Sequence, residues 1–361
     1  MFFATVTKKE LLEFVAQFDV VAYARTRNHL SGQVSQLSPF ITRGVITLPE
    51  IKQVVLTRYS QSVAEKFIQE LAWRDYWQQV WFAKGNAIFA DLRFPRDDWS
   101  HDNLVEAITL GQTGITVVDQ AVEELFATGY MHNHARMWTA MLACNVAKAN
   151  WYNMSRWLYY HLIDGDLASN MLSWQWVAGT NASKQYVANQ AVINSCSDHK
   201  ELRTFLTMPR EEVGQGAVPT VLVPAVPFTY QMQYPETETF DENSQHLFLY
   251  SPNTLNPDWR TDEIGERVLL LEPAWFDKFP VSPAVLEFII TVARAQIPGI
   301  KVVVKNATEL PISAHTKVYS QSYPTHEAWP GLVDSAPRLF PSVTGYYSSF
   351  FKFWEACERS R

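Results

Sequence analysis

The run HLIDGDLASNMLSWQW places Asp164 and Asp166 on either side of Gly165 and continues through Asn170 to Trp174 and Trp176. Upstream, GYMHNHARM brings Asn133, Arg136 and Met137 close together, and ELAWRDYW sets Glu70 and Trp73 three residues apart on one side of a helix. Apolar residues flank these words, so their polar groups fall in the interior. A buried charge or amide needs a partner, and a large polar ligand supplies several. Carboxylates, amides, a guanidinium and indoles together are the lining of a cofactor pocket. The indoles can stack on a flat ring or carry electrons in short steps. No Ser/His/Asp or Cys/His arrangement for nucleophilic catalysis stands out. On residue types alone, Asp-Gly-Asp reads equally well as a turn, with Asp166 capping the next helix, and Met137 as ordinary core.

The elements that must position these residues are mostly helical. Apolar spacing predicts helices over residues 63–82, 115–128 with Gly129 as the stop, 132–148, 155–162 and 167–176. Phe67 and Leu71 share a face of the helix that carries Glu70 and Trp73. Between residues 206 and 242, Pro209, Pro219, Pro224, Pro227 and Pro235 break regular structure and mark a linker, or an extended segment wrapped on a domain. Beyond it the period changes. HLFLYS, RVLLLEP and IKVVV read as strands around a helix at 283–295, a small parallel α/β unit. The fold class expected is mostly α: an all-helical domain over 1–205, a Pro-rich linker over 206–242 and an α/β-like segment with a C-terminal helix over 243–361.

Apolar residues make up 47% and charged residues 19% of the chain, which suits a large core. Cys144, Cys196 and Cys357 form no CxxC pattern, so neither a disulfide framework nor a cysteine metal site is expected, and no metal is. The N-terminal MFFATVTKKELLEF lacks the pattern of a signal peptide. No stretch approaches the roughly 18 apolar residues of a membrane span. These features predict a cytoplasmic protein with no membrane association. The net charge of −7 argues against extensive nonspecific duplex binding, although Arg25, Arg27, Arg43, Lys52 and Arg58 make the N-terminal region locally basic.

The ordered words LSPFITRGVI, ELAWRDYW, TGITVVD, GYMHNHARM, DGDLASN and WQWVAGT, over roughly residues 20–197, resemble the flavin-binding helical domain of the photolyase/cryptochrome family. The resemblance implies bound FAD. Tyr23, the turn of Ser35, Gln36, Leu37 and Ser38, Phe67 and Arg74 would hold its phosphates and neighbouring parts; Asn133, Arg136, Asp164, Asp166 and Asn170 would surround the flavin ring and ribityl chain. Arg136 would pair with Asp164 beside the ring, and Asn170 would face N5. Val34 and Gln36 depart from the family's Thr and Arg, which removes a hydroxyl and a cation from the phosphate turn; Arg25, Arg27 or Arg43 would have to compensate.

The resemblance further implies that Glu70, Trp73, Asn133, Met137 and Trp176 would hold a flipped pyrimidine dimer, and that Trp174, Trp151 and Trp99 would form an electron-transfer chain, Trp174 nearest the flavin. The leading expectation is therefore a deoxyribodipyrimidine photolyase-like enzyme that repairs cyclobutane pyrimidine dimers with light, acting on damaged DNA that is single-stranded or presents a flipped lesion. The alternative is a cryptochrome-like blue-light photoreceptor that signals through a protein partner. A structural descendant without photochemistry would need the pocket to be empty. The order of domains departs from the family, whose α/β antenna domain ordinarily precedes the flavin domain; here the α/β-like segment follows it.

Overall fold

The computed structural model describes residues 3–360. Helices dominate the first two-thirds: α1 (Lys8–Gln17), α2 (Val20–Thr26), α3 (Ser38–Thr42), α4 (Leu48–Arg58), α5 (Gln61–Lys84), α6 (Glu106–Thr109), α7 (Thr116–Thr128), α8 (Asn133–Met141), α9 (Trp151–His161), α10 (Leu167–Ala178) and α11 (Gln190–Ser195). A two-stranded pair, β1 (Leu104–Val105) and β2 (Ala225–Val226), lies among them in sequence. The remainder carries β3 (His246–Tyr250), β4 (Glu266–Leu271), α12 (Pro273–Phe276), α13 (Pro283–Gln296), β5 (Lys301–Val304), β6 (Lys317–Gln321), β7 (Leu332–Asp334) and α14 (Phe350–Arg359).

The chain divides into two compact units. One contains residues 1–20, 35–82 and 231–361; the other contains 21–34 and 83–230. This division does not follow a cut at residue 205, because α3 to α5 pack with the C-terminal segment.

In the first unit the five strands form a wholly parallel sheet in the order β5-β4-β3-β6-β7, with Leu247 opposite Glu266 and Val318, and Leu269 opposite Val302. Parallel strands covered on both faces need near-continuous apolar runs, which HLFLY, ERVLLL and KVVV supply. Leu247, Leu249, Val268, Leu270, Val303 and Trp329 pack into one core cluster, while the alternate residues Phe248, Tyr250, Leu269 and Leu271 are also buried. Helices α1 and α4 each begin with a capping box, Thr7 with Glu10 and Thr47 with Glu50. Lys8 ties their starts to the loop after β3 by pairing with Glu50 at 2.6 Å and Asp258 at 2.5 Å. Asp75 of α5 is buried against Arg338 at 3.3 Å, and its burial holds the carboxyl above the usual range.

In the second unit, Gly129 closes α7 in the left-handed region at φ 70°, where a Cβ would stand 2.6 Å from Ile163. Helix α8 runs into a π-helical turn at Leu142–Val146, so the helix expected to continue to residue 148 changes its winding after Met141. Helix α9 begins at Trp151, a turn earlier than its apolar spacing implied, capped by Asn150. The Pro-rich segment is extended and wrapped: Ala225–Val226 pairs with Leu104–Val105, and Tyr230 meets Tyr160 of α9 with ring centroids 4.6 Å apart.

His161 closes α9 among Phe126, Trp157, Tyr160 and Tyr230. Burial there pushes its imidazole down to about 4. Because the folded value lies below the unfolded one, the unfolded chain takes up the proton first. Stability is therefore complete above the unfolded value and falls as pH drops from about 6.5 toward 4. The loss attributable to His161 by pH 5 is on the order of 1–2 kcal/mol. Replacing His161 with Phe keeps a ring and removes the titration; the difference in denaturation midpoint between pH 7.5 and pH 5 is expected to shrink accordingly, as followed by circular dichroism.

Candidate functional site

The turn between α9 and α10 builds the centre of the site. Gly165 lies so close to the chain that a Cβ would meet the Leu162 carbonyl at 3.0 Å and the Tyr159 ring at 3.1 Å, so a larger residue between Asp164 and Asp166 would make its neighbours shift by a few tenths of an ångström. Both aspartates are buried, at 5% and 4% exposure. Asp166 caps α10 by accepting the Ser169 N–H at 2.7 Å, as expected. Asp164 accepts from Arg136 Nη2 through both oxygens, at 3.0 and 2.9 Å. Arg136 Nε donates to the Met131 carbonyl at 2.7 Å, which fixes the guanidinium over the start of α8.

Asn170, one turn into α10, donates its Nδ2–H to the Ser155 carbonyl of α9 at 2.8 Å. A carbonyl can only accept, so this bond fixes the amide's orientation and leaves Oδ1 as its acceptor face. The Oγ of Ser169, between the two, is buried with no hydrogen-bond partner, and Arg136 Nη1 is uncommitted among the described contacts. A large ligand with acceptor atoms and a flat polar ring fits this set: it would satisfy Ser169 and take up the remaining guanidinium donor. Tyr130 stands 5.7 Å from the guanidinium, and its burial pushes the phenol up to about 12, so it stays neutral. His132, the cap of α8, is pushed down to about 4, first by burial and then by His134 and Arg136; it too stays neutral at pH 7 and adds no charge beside the pair.

The three tryptophans lie in this same unit. Helices α9 and α10 form an antiparallel hairpin in which Ser155 meets Asn170 and Met171. One turn back from Ser155 is Trp151, and one turn on from Asn170 is Trp174, so the two packed helices carry one indole each. Both are buried, at 1% and 2% exposure. Trp99 is partly buried, beneath the Arg96 guanidinium at 3.9 Å.

The expected lesion-holding residues divide between the units. In the second, Asn133 is exposed and touches the Met137 sulfur at 3.9 Å, and Trp176 is 38% exposed beside Tyr186. In the first, Glu70 pairs with Lys66 at 3.0 Å. Trp73 is stacked on Phe350 of α14, with centroids 3.8 Å apart and planes 8° from parallel. One face of that indole is therefore already covered by a residue that sequence reasoning did not single out, whose only signal was the amphipathic aromatic run FFKFW.

The expected phosphate-side residues also divide. Tyr23 lies in α2 of the second unit. In the first unit, Gln36 occupies the left-handed region at φ 52°, an uncommon conformation for a residue with a Cβ. Ser35 Oγ accepts the Leu37 N–H at 3.4 Å, and α3 starts without a side-chain cap. Arg74 lies on α5, and Phe67 is buried against Phe18 at 5.5 Å in the interior of that unit. Of the arginines expected to compensate at the turn, Arg43 is 2% exposed and donates to the Pro252 carbonyl after β3 at 3.3 Å, so its place in the interior commits it to the fold. Arg27 donates to the Ala24 carbonyl at 2.8 Å.

Residues 67–205 match the family model described as the FAD binding domain of DNA photolyase. A deoxyribodipyrimidine photo-lyase of Streptomyces griseus is 35% identical over 160 residues, covering 44% of this chain and 35% of that protein. A cryptochrome DASH of Gloeobacter violaceus is 32% identical over 167 residues, covering 44% of this chain and 33% of that protein. The chain thus spans about a third of the length of the curated relatives it matches. A Synechocystis cryptochrome structure is 26% identical, with a TM-score of 0.44 over 58% of this chain and 42% of that one. No helix among the described residues is long and apolar enough to cross a membrane. Residues 67–205, with their Arg136–Asp164 pair and Asp166-capped helix, thus match the FAD binding domain of the photolyase family, and the cofactor of that domain is FAD.

Proposed function

We propose that this protein uses FAD and light to split cyclobutane pyrimidine dimers in DNA. The observation that carries the reading is the Arg136–Asp164–Asn170 constellation, a half-buried cation held by a buried carboxylate in the turn that leads into the helix bearing an amide of fixed orientation. Bound FAD would supply the light absorption and the electron that opens the dimer. Arg136, oriented by Asp164, would favour an electron-rich ring at its free Nη1 edge. Asn170, with its donor spent on Ser155, would offer an acceptor suited to a protonated ring nitrogen. Trp174 and Trp151, both buried, would return an electron to the flavin when it is oxidised. Trp176 and Met137 would flank an extruded pyrimidine dimer on one wall.

A second reading, a photoreceptor acting through a protein partner, is favoured by one observation: the stacking of Phe350 on Trp73 occupies an indole face that a lesion would need.

Asp164→Asn removes the charge that holds Arg136. FAD affinity is expected to fall by about 2–3 kcal/mol, the range for hydrogen bonds to charged groups, as read by equilibrium dialysis against flavin with the apoprotein's denaturation midpoint as the control for folding. Wild type that binds no FAD after reconstitution would end the photochemical reading.

Trp176→Ala is expected to weaken binding of a single-stranded oligonucleotide carrying one cyclobutane dimer by roughly 1–3 kcal/mol, at fixed salt, relative to the intact oligonucleotide. Phe350→Ala uncovers Trp73 and is expected to strengthen lesion binding. A wild type that neither prefers the lesion nor returns monomers under light with reduced FAD would replace repair by the photoreceptor reading.

A further inference from the structure

We propose that Asp91 is the proton acceptor for oxidised Trp151, so that the electron deficiency drawn out of the flavin's neighbourhood comes to rest on Trp151 and not on Trp99. The proposal rests on the FAD photochemistry proposed above and extends it to a residue outside the expected site.

Trp151 donates its indole N–H to Asp91 Oδ1 at 2.7 Å, the short end of the range for a bond to a carboxylate. The other oxygen of Asp91 accepts the backbone N–H of Arg96 at 3.1 Å, so the carboxylate is held from two sides. The next residue, Leu92, donates its N–H to the Gln175 side chain at 2.9 Å, which ties this segment to α10 beside Trp174. The carboxylate is thus anchored to both helices that carry the buried indoles.

An indole N–H is hardly acidic, but loss of one electron from the ring makes it strongly so. The steps balance as follows. Trp174 would give up one electron, for which bound FAD in its excited state would supply the oxidant. Trp174 takes one from Trp151 and is restored. The N–H bond of Trp151 then breaks, and its proton passes along the existing hydrogen bond to Asp91 Oδ1. The products at this pair are a neutral indole radical and a neutral carboxyl group, while the negative charge now lies with the transferred electron at the acceptor.

Trp99 sits in the opposite field. The Arg96 guanidinium lies over its ring at 3.9 Å and is held there by Asp98 at 2.7 Å, Asn145 Oδ1 at 3.0 Å and the Ala178 carbonyl at 2.9 Å. Asp98 offsets part of the cation's field, but a second positive charge on the ring beneath it is still disfavoured. Arg96 therefore acts twice: its backbone orients the acceptor for Trp151, and its side chain discourages oxidation of Trp99.

Transient absorption of the full FAD-loaded chain tests this, since deprotonated indole radicals and their cations have distinct visible bands. Asp91→Asn, at unchanged flavin content, is expected to leave the first charge separation intact. It should slow the appearance of the deprotonated radical on the order of a hundredfold, the range for loss of a positioned base. Asp91→Glu should restore much of the rate. Trp151→Phe should remove the long-lived radical, whereas Trp99→Phe should retain most of it. A Trp99→Phe loss equal to that of Trp151→Phe, or a deprotonation rate unchanged in Asp91→Asn, would overturn the proposal. Absence of any flavin photoreduction in wild type would instead overturn the photochemical reading on which it rests. In the 15N-labelled apoprotein, the indole N–H resonance lost in Trp151→Phe should shift in Asp91→Asn; an unmoved resonance would also count against the hydrogen bond.

Discussion

A buried carboxylate without a cation beside it is one of the costliest features a fold can contain, and the second unit is arranged around avoiding one at Asp164. The guanidinium of Arg136 must reach it, which fixes the start of α8 against the turn between α9 and α10. That turn is tight, and Gly165 lets it pass close to the Tyr159 ring. Asp166 must then use its own carboxylate to start α10, which sets the phase of that helix and with it the directions of Asn170, Trp174 and Trp176. Truncating either partner of the pair would thus disturb the cofactor residues twice, through the lost charge and through the shifted helix.

How much of this was legible depends on whether a local rule decided each element. Gly129 as the end of α7, Asp166 as a cap and the apolar runs of β3, β4 and β5 follow from nearest-neighbour chemistry, and the structure has them at those places. Strand β6 hides because Ser320 and Gln321 interrupt its apolar pattern although both are buried, and β7 is only three residues long. The π-turn after Met141 was not legible either. It is decided by Asn145, whose amide donates to the carbonyls of Val177 and Tyr186 and accepts from Arg96, contacts distant in sequence.

The site shows the same division. The types and order of Arg136, Asp164, Asp166 and Asn170 pointed to a flavin environment through the family words; of the four, Arg136 and Asp164 bond to each other, while Asp166 bonds to Ser169 and Asn170 to Ser155. What no word announced was the second partner of each aromatic. Phe350 lies far along the chain from Trp73, and nothing in ELAWRDYW reveals that one face of its indole is taken. An exposed face could stack on a base at once. A covered one must first give up a ring contact worth about 0.5–1.5 kcal/mol beyond its area burial, so any ligand for Trp73 competes with α14.

Gln36 makes a comparable point about the phosphate turn. Its left-handed backbone is a conformation that glycine or asparagine adopts more readily, so the turn holds its shape at some cost to stability. Such a cost persists where the surrounding structure requires that shape, and here the side chain that would ordinarily add a cation is neutral. At the start of α3, Leu37 provides no side-chain cap, Pro39 has no N–H, and Phe40 and Ile41 donate to the Leu37 carbonyl, so a phosphate there would have few backbone donors to use. Backbone donors are directional but carry no full charge. A phosphate held by such donors would be bound with less dependence on salt than one held by arginine.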